Sequence, residues 1–497
     1  MNRALFRLSL ACLAMFVLLL LNVNYVQAFE DNSLAGRPGN IRIFDQQFQY
    51  QRGSIIAAGD ALHGNGQSVK IAESLPVKGT NMYQRFYPSG PMYAPVTGYD
   101  SVFGKTGIEK LEGKYLAGTA SNLTVHNLIG LLTGKPKQGA TVYLTISAKA
   151  QQAAYQGLQQ ELALGHDAAA VAINPSTGAI LALASVPTFD PNRYTTLDGA
   201  KLDKIDLQYR RDPAQPLLNR AISVTYPPGS SFKVITSSAA FTTGKVANPG
   251  TTVNAPQPLT LPNGHQLNND GGQNCGNGHP QVIEAFWLSC NTAFGQIGMN
   301  LGGGALRNYA TRFGWNTPLS IPMPVSPSVV PLVTDKSLTA YTAIGQLSDE
   351  ATPLQEAMDA AAIANHGALM KPYLVQSVQA PDLSPIYNAT PSTMSQAVSA
   401  QVANEVGSMM LQVTQNPAGT AFGTANTSLA GVQIAGKTGT AENGVNNVGL
   451  NDAVFTCYAP YSNPQIAVGV IVKGGGFGAD AAAPIAVKII KAYLGIH

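Results

Sequence analysis

An apolar run at the N-terminus limits the fold of this chain more than any other feature, because whatever follows a membrane span must fold on one side of it. Arg3 and Arg7 precede the run, which extends from Leu8 to Val26. As a helix, about 19 residues nearly cross a hydrocarbon core of roughly 30 Å. The basic flank predicts a cytoplasmic tail and an outer location for the remainder. These residues alone leave two interpretations open, an uncleaved anchor and a signal peptide cleaved after Val26-Gln27-Ala28.

Composition excludes several classes of function. A chain of 497 residues is long enough for two or more domains with their own cores. Only 11% of its residues are charged and the net charge is +3, and no Lys/Arg run or alternation of aromatic and basic residues occurs. We therefore predict no nucleic-acid partner. No C-x-x-C pair and no H-E-x-x-H motif is present, so no metal or other cofactor is predicted.

The first chemical motif is Ser230-Ser231-Phe232-Lys233, which follows Pro227-Pro228-Gly229. The prolines cannot lie inside a helix, and the apolar spacing after them is helical up to Gly244, so Ser230 lies near a helix N-terminus where negative charge is favoured. Lys233 is one turn further on the same face. Burial and a second cation would lower its pKa and let it activate the serine. The alternative is an ordinary amphipathic helix start.

Two further motifs carry complementary groups. Ser289-Cys290-Asn291 follows an apolar stretch, and its hydroxyl and carboxamide can bind a lysine, a serine and a substrate amide together. Alternatively it is a polar cap after a buried helix. Lys437-Thr438-Gly439-Thr440 follows the alternating residues Val432–Ala435, which predict a strand whose edge can bind a peptide. Lys437 is the natural second cation. Another copy, Lys105-Thr106-Gly107, is interpreted as a turn.

In this order the motifs resemble the S-x-x-K, S-x-N and K-T-G set of penicillin-binding proteins and serine β-lactamases. Arg52-Gly53-Ser54-Ile55, Asn219-Arg220-Ala221 and Thr352-Pro353-Leu354-Gln355 extend the resemblance over nearly the whole chain. The chain is identified as a member of the class B penicillin-binding proteins, membrane-anchored D,D-transpeptidases of peptidoglycan synthesis. It is most similar to the short, division-type penicillin-binding protein A subgroup.

The resemblance implies an α+β fold, with an antiparallel sheet between helices in the catalytic domain and a β-rich N-terminal module. It favours the uncleaved anchor over the cleaved signal peptide. The expected organisation is a tail and anchor over residues 1–28, a non-catalytic module over 29–160 and a transpeptidase domain over 161–497. Within the module, the Gly/Ser/Asn-rich stretch 59–68 is expected to be an exposed loop.

The family's catalytic roles transfer to matching positions. The resemblance implies that Ser230 is the nucleophile and Lys233 the general base. Ser289 relays or orients protons, and Asn291 binds the substrate backbone and Lys233. Lys437 sets the field around the serine and the substrate carboxylate.

The remaining roles fall on the K-T-G strand. Thr438 and Thr440 would hydrogen-bond the substrate carboxylate, and Gly439 would leave room for the strand to approach. The backbone N–H groups of Ser230 and Thr440 would form the oxyanion hole.

Four cysteines are present. We expect a disulfide between Cys275 and Cys290, which an oxidising compartment permits, although the sequence also allows two free thiols. Cys12 lies in the apolar run, and Cys457 is expected to be a buried strand residue.

The implied partners are peptidoglycan stem peptides and β-lactams, together with a membrane-embedded wall polymerase and other division or wall-synthesis proteins. Three alternative functions stay open: a D,D-carboxypeptidase, a β-lactamase, and a β-lactam-binding scaffold or sensor. Against a β-lactamase, Glu350, Glu356 and Glu405 all lack the context of a deacylating glutamate. Residues 29–160 are too few for an additional glycosyltransferase domain.

Overall fold

The computed structural model describes residues 3–26, 48–62, 64, 66–123, 138–426, 431–441 and 451–496. The alternative cleavage site after Ala28 lies outside them. Helices, including short 3-10 turns, span Arg3–Tyr25, Gly59–Leu62, Gly90–Tyr93, Ala94–Thr97, Gly107–Leu111, Gly113–Leu116, Ser121–Leu123, Ala148–Ala163, Pro191–Thr195, Gly199–Arg211, Arg220–Ser223, Gly229–Phe232, Lys233–Thr242, Asp270–Gly272, Cys275–Gly278, Val282–Trp287, Asn291–Leu301, Gly303–Arg312, Lys336–Thr342, Pro353–Ala364, Ala400–Gln415, Phe422–Ala425 and Ala482–Leu494.

The strands form one five-stranded sheet, one six-stranded sheet and several two-stranded ribbons. They span Ile55–Ala57, Val69–Pro76, Tyr83–Phe86, Asp100–Ser101, Gly104–Lys105, Thr141–Leu144, Ala168–Ile173, Ile180–Val186, Leu259–Thr260, Gln266–Leu267, Leu319–Ser320, Pro324–Val325, Ala368–Met370, Val375–Gln379, Pro385–Asn388, Thr393–Gln396, Ala435–Ala441, Asp452–Ala459 and Ile466–Val472.

The five-stranded sheet, called here the central sheet, is antiparallel throughout. Its strands are buried along almost their whole length because helices cover them. Helices Ala148–Ala163 and Ala482–Leu494 pack on each other and on the sheet, and Pro353–Ala364 packs on its inner strands. The predicted α+β class is confirmed. The strand order across the sheet is Ala435–Ala441, Asp452–Ala459, Ile466–Val472, Ala168–Ile173 and Ile180–Val186.

The six-stranded sheet contains strands from both sides of the predicted domain boundary at residue 160. Ile55–Ala57 pairs in parallel with Thr141–Leu144, which in turn pairs antiparallel with Val375–Gln379. The strand from the C-terminal part thus continues a sheet begun by the N-terminal part, and one hydrophobic cluster includes residues of both. The boundary at residue 160 stays a prediction, but the parts on either side of it share a sheet.

Two local expectations differ from the structure. The stretch 59–68 is not an exposed loop throughout, because Gly59–Leu62 is a helical turn and Asp60 is buried, where it accepts a hydrogen bond from Ser147 Oγ. The polar composition of the stretch predicted that it would be exposed, but the Asp60 carboxylate is buried because Ser147 provides a buried hydrogen-bond partner. The strand predicted at 432–435 begins only at Ala435 and contains the K-T-G motif itself.

The apolar run is helical over Arg3–Tyr25, and its apolar side chains are exposed. The part from Phe6 to Tyr25 is long and apolar enough to cross a membrane. This helix fits a single-pass anchor.

An ion cluster organises the N-terminal part around one fully buried carboxylate, that of Glu109. Its Oε2 lies 2.7 Å from Nε of Arg52, and its Oε1 lies 2.5 Å from Nε of Arg85. Arg85 Nη1 also donates to the carbonyl of Gly53 over 2.8 Å. The R-G-x-I element therefore contributes an arginine to a buried pair and a carbonyl to the same cluster.

Replacing Glu109 should destabilise the protein strongly, because Glu109→Gln removes the carboxylate that the buried guanidinium of Arg85 contacts and leaves that of Arg52 with Asp100 alone, 3.5 Å away. We expect a loss of about 3–5 kcal/mol in the free energy of unfolding, measured by urea denaturation. The matched control is Glu73→Gln, which breaks an exposed ion pair with Lys70 and should cost at most about 1 kcal/mol. Equal losses in the two variants would show that the cluster does not stabilise the fold.

Candidate active site

The S-x-x-K motif lies on a tight turn that continues into a helix. Gly229–Phe232 is a 3-10 turn, and Lys233–Thr242 follows it directly. The N–H of Gly229 donates to Gly345 O over 2.9 Å, which ties the turn to a neighbouring loop. The turn contacts the edge strand Ala435–Ala441, so Ser230 lies beside the K-T-G motif.

Gly439 allows this contact. A Cβ atom there would lie 2.5 Å from Pro228 O and 2.8 Å from Val454 Cβ, and both distances are shorter than side chains tolerate. Any larger residue would push the edge strand away from the turn that bears Ser230. From the sequence, Gly439 was expected to leave room for the strand to approach. In the structure, the segment that lies against Gly439 is the protein's own turn that bears Ser230.

Lys233 is fully buried, and its ammonium nitrogen is held by the S-x-N motif. Nζ donates to Asn291 Oδ1 over 2.8 Å and to the Ser289 carbonyl over 2.7 Å, and it lies 3.3 Å from Ser289 Oγ. It also lies 5.5 Å from the ring centre of Phe294. The first two motifs therefore meet at this nitrogen.

Lys437 reaches the same hydroxyl from the opposite side. Its Nζ lies 2.8 Å from Ser289 Oγ and donates to the carbonyl of Thr438 over 2.9 Å. Like Lys233 it is fully buried. The Ser289 hydroxyl thus lies between two lysines that come from separate motifs.

Burial changes the acidity of both lysines. It lowers the pKa of Lys233 to about 7, against an opposing effect of the Asp270 carboxylate. Burial also lowers the pKa of Lys437 far below its usual value, and the neighbouring charge of Lys233 lowers it further. A neutral amine near physiological pH is therefore available at this site.

Ser289 has a left-handed backbone, with φ of 61°, which is uncommon for a residue that is not glycine. The bend follows helix Val282–Trp287, and the next helix begins at Asn291. A disulfide joins Cys275 to Cys290, so a covalent bond fixes the residue between Ser289 and Asn291.

The loop before Cys275 closes over the site. Asn269 Oδ1 accepts from the N–H of Thr292 over 2.9 Å, at the start of the helix. Asn291 Nδ2 donates to Asn268 O over 3.2 Å and to Asp270 Oδ1 over 3.1 Å. Both hydrogens of the Asn291 carboxamide are thus bound by this loop.

An open cavity of about 720 Å³ leads to these groups. It contains Ser230, Asn291 and Thr440, and Asp270 is the one carboxylate among the described residues that line it. A second cavity of about 380 Å³ lies by the six-stranded sheet, and none of the motif residues described here line it.

The other sequence expectations can now be placed. Thr438 accepts or donates a hydrogen bond with Thr420 Oγ1 over 2.8 Å, and Thr440 O accepts from Gln346 Nε2 over 3.4 Å. The second K-T-G copy is remote from the site, and its Lys105 forms an ion pair with Asp100. Cys457 is buried in the central sheet as expected.

Three residues that contact the motifs were not predicted from the sequence. Thr420 and Asp270 lie in loops without a motif, and no sequence signal marks them. Glu356, which follows Thr352-Pro353-Leu354-Gln355, lies under the turn that bears Ser230, where its Oε1 is 3.0 Å from Ser231 Oγ. Its position directly after a motif could have drawn attention to Glu356. The sequence does not show, however, which residue a glutamate on an apolar helix face contacts.

Comparison with known families agrees with this geometry. The penicillin-binding protein transpeptidase domain family matches residues 168–491, and the penicillin-binding protein A dimerisation domain family matches residues 52–142. The peptidoglycan D,D-transpeptidase PbpA of Mycolicibacterium smegmatis is 39% identical over 99% of both chains. Its namesake in Mycobacterium tuberculosis is 38% identical over the same shares.

Solved structures give the same result. Penicillin-binding protein A from M. tuberculosis, as an imipenem acyl-enzyme complex, superposes with a TM-score of 0.83 at 38% identity, over 90% of this chain and 100% of that one. Pseudomonas aeruginosa PBP2 in complex with WCK 5153 gives a TM-score of 0.70 at 30% identity, over 89% of this chain and 96% of that one. The chain therefore belongs to the penicillin-binding protein transpeptidase family, as a class B member of the penicillin-binding protein A type.

Proposed function

We propose that the chain is a peptidoglycan D,D-transpeptidase in which Ser230 is the nucleophile and Lys233 the general base. The observation that carries this is the convergence of three distant motifs on two buried lysines and one hydroxyl beside Ser230. The M. tuberculosis relative is described as an acyl-enzyme with imipenem, ceftriaxone and penicillin G, which supports the same serine chemistry here.

In acylation, Ser230 Oγ attacks the carbonyl of the penultimate D-alanine, and its proton passes to the neutral amine of Lys233. The C–O bond forms, the C–N bond to the terminal D-alanine breaks, and the proton leaves with that amine. Backbone N–H groups of Ser230 and Thr440 stabilise the oxyanion. An acceptor amine then attacks the ester, the C–O bond to Ser230 breaks, and a proton returns to the serine oxygen.

The other motif residues bind and orient. Lys437 and Thr438 face the substrate carboxylate from the edge strand, where a stem peptide adds as a further strand. Ser289 passes or orients protons between the two lysines. Asn291 binds the substrate backbone through its amide hydrogens, for which the loop containing Asp270 must release at least one of them.

A β-lactam enters by the same first step and leaves a penicilloyl ester on Ser230. Glu356 does not line the cavity, so it is not placed to activate a deacylating water there. This supports slow hydrolysis and argues against a β-lactamase. A D,D-carboxypeptidase, in which water replaces the acceptor amine, is the second candidate, because the cavity that Ser230 lines is open.

The cellular setting is part of the proposal. The exposed apolar helix supports a single-pass membrane anchor with residues 161–497, the transpeptidase domain, outside the cytoplasm and 29–160 as a non-catalytic module. A role in division, and contact with a membrane-embedded wall polymerase, rest on the family resemblance. A purely scaffolding role is disfavoured because the sequence keeps all the side chains that the proposed chemistry uses.

Ser230→Ala should abolish covalent labelling by a fluorescent penicillin, because the attacking oxygen is removed. The matched control is Ser223→Ala, at an exposed serine earlier in the chain, which should still label to completion. Gel fluorescence of the purified full-length proteins measures both. Persistent labelling of the Ser230 variant would refute the assignment of the nucleophile.

The acylation rate should rise with pH through about 7, because Lys233 must lose its proton before it can accept one from Ser230. Asp270→Asn removes a carboxylate that raises the pKa of both lysines, so the rising limb should move to lower pH. Asp203→Asn, on an exposed helix, is the control and should not move it. The measurement is the second-order rate of penicillin labelling from pH 5 to 8, and an unmoved limb in the Asp270 variant would contradict the proposed base.

The penicilloyl ester should persist for many minutes after excess β-lactam is removed. Intact-protein mass spectrometry follows the adduct mass over time. Rapid return to the unmodified mass, with turnover of benzylpenicillin, would instead identify a β-lactamase.

A further inference from the structure

Two buried carboxyl groups lie beneath the turn that carries the nucleophile. Glu356 and Asp359 are one turn apart on helix Pro353–Ala364, and their residues are 1% and 4% exposed. Glu356 Oε1 lies 3.0 Å from Ser231 Oγ, on the residue that follows Ser230. The mechanism described above uses neither carboxyl group.

The hydrogen bonds around Ser231 restrict where the protons lie. Its hydroxyl oxygen lies 2.9 Å from the carbonyl of Pro228 and 3.0 Å from Glu356 Oε1. A carbonyl carries no proton, and the single hydroxyl proton of Ser231 can point at only one of the two oxygens. The shorter contact is the one to Pro228 O, and we take the proton to point there. The contact with Glu356 is then a hydrogen bond only if the carboxyl group is protonated and donates.

The surroundings of Glu356 favour this neutral form. Its Oε2 has no hydrogen-bond partner among the described residues, so an ionised group would be buried without compensation. Burial raises the pKa of Glu356 to about 8, against an opposing effect of the hydrogen bond with Ser231. The titratable group that faces it is Asp359. Burial and the neighbouring Glu356 also raise the pKa of Asp359, and its oxygens accept hydrogen bonds from Trp315 Nε1 and Gln355 Nε2.

Glu356 is also held firmly against the central sheet. Thr456 Oγ1 donates to the Glu356 carbonyl over 2.5 Å. A Cβ atom on Gly469 would lie 2.7 Å from Glu356 Cβ, so the absence of a side chain there lets the helix pack directly on the strand. A group fixed in this way can hold the turn above it in place.

We propose that Glu356 is a positioning residue that acts as a neutral acid, donating a hydrogen bond to Ser231 and thereby holding the Pro228–Ser231 turn, with Ser230, against the edge strand. Loss of its proton would draw the Ser231 hydroxyl hydrogen away from Pro228 O to the carboxylate and place a buried negative charge beneath the turn. The inference rests on the proposed function, because it requires Ser230 to be the nucleophile.

The kinetic test compares pH profiles of penicillin acylation for the full-length, detergent-solubilised protein. The wild-type rate should rise through about pH 7 as Lys233 deprotonates and fall severalfold above about pH 8 as Glu356 ionises. Glu356→Gln keeps an N–H donor for Ser231 and cannot ionise, so it should retain the rising limb and lose the fall. Glu356→Ala should be slower by about tenfold at every pH.

The control is Asp359→Asn, which removes the neighbouring carboxyl group but leaves the contact with Ser231. The acylation rate of this variant should still fall at alkaline pH, as in the wild type. If Glu356→Gln follows the wild-type alkaline limb, or is as slow as Glu356→Ala at pH 7, the proposal is overturned. If only Asp359→Asn loses the decrease in acylation rate at alkaline pH, the titrating group is Asp359, and the proposal is overturned as well.

Thermal unfolding provides a readout that does not depend on the nucleophile. The folded pKa of about 8 exceeds the usual value of 4.5, so between these pH values the folded protein holds a proton that the unfolded chain has released. Stability therefore falls as pH rises across this window. The unfolding midpoint of Glu356→Gln relative to wild type should climb from pH 5 to 8 and then level off. A difference that is constant with pH would show that Glu356 is ionised in the folded protein. Because Ser230→Ala can serve as the background, this result separates failure of the inference from failure of the proposed function.

Discussion

The site depends on the contact of two buried lysines with one serine hydroxyl. Lys233 and Lys437 cannot both keep a full charge at such close range without water, and the Ser289 oxygen between them accepts hydrogen bonds from either side. The fold therefore places a weakly basic pair of lysines where the proposed mechanism has a proton accepted and then returned. The left-handed backbone at Ser289 and the disulfide beside it hold the shared hydroxyl in place.

Much of this could be predicted because the decisive signals are local. Pro227-Pro228-Gly229 predicts a helix start at Ser230 from backbone chemistry alone, and the structure has a 3-10 turn and a helix there. The disulfide between Cys275 and Cys290 was expected from the oxidising compartment, and the structure joins the two residues.

What the sequence did not indicate are the contacts between distant segments. Glu356 lies far along the chain from Ser231, and an acidic residue within an apolar helix can be exposed, paired or protonated. Asp60 was assigned to an exposed loop for the same reason, because polarity predicts solvent unless a buried partner such as Ser147 is known. The roles of Asp270 and Thr420 likewise depend on how loops pack on the motifs.

The six-stranded sheet has a consequence for how the chain is made. Thr141–Leu144 pairs with Val375–Gln379, which is synthesised only after much of the catalytic part. Until then the N-terminal strands keep an open edge, and open edges pair readily with other chains. The N-terminal part therefore cannot complete its fold until the catalytic part has been synthesised, and the nascent chain depends on protection from aggregation until then.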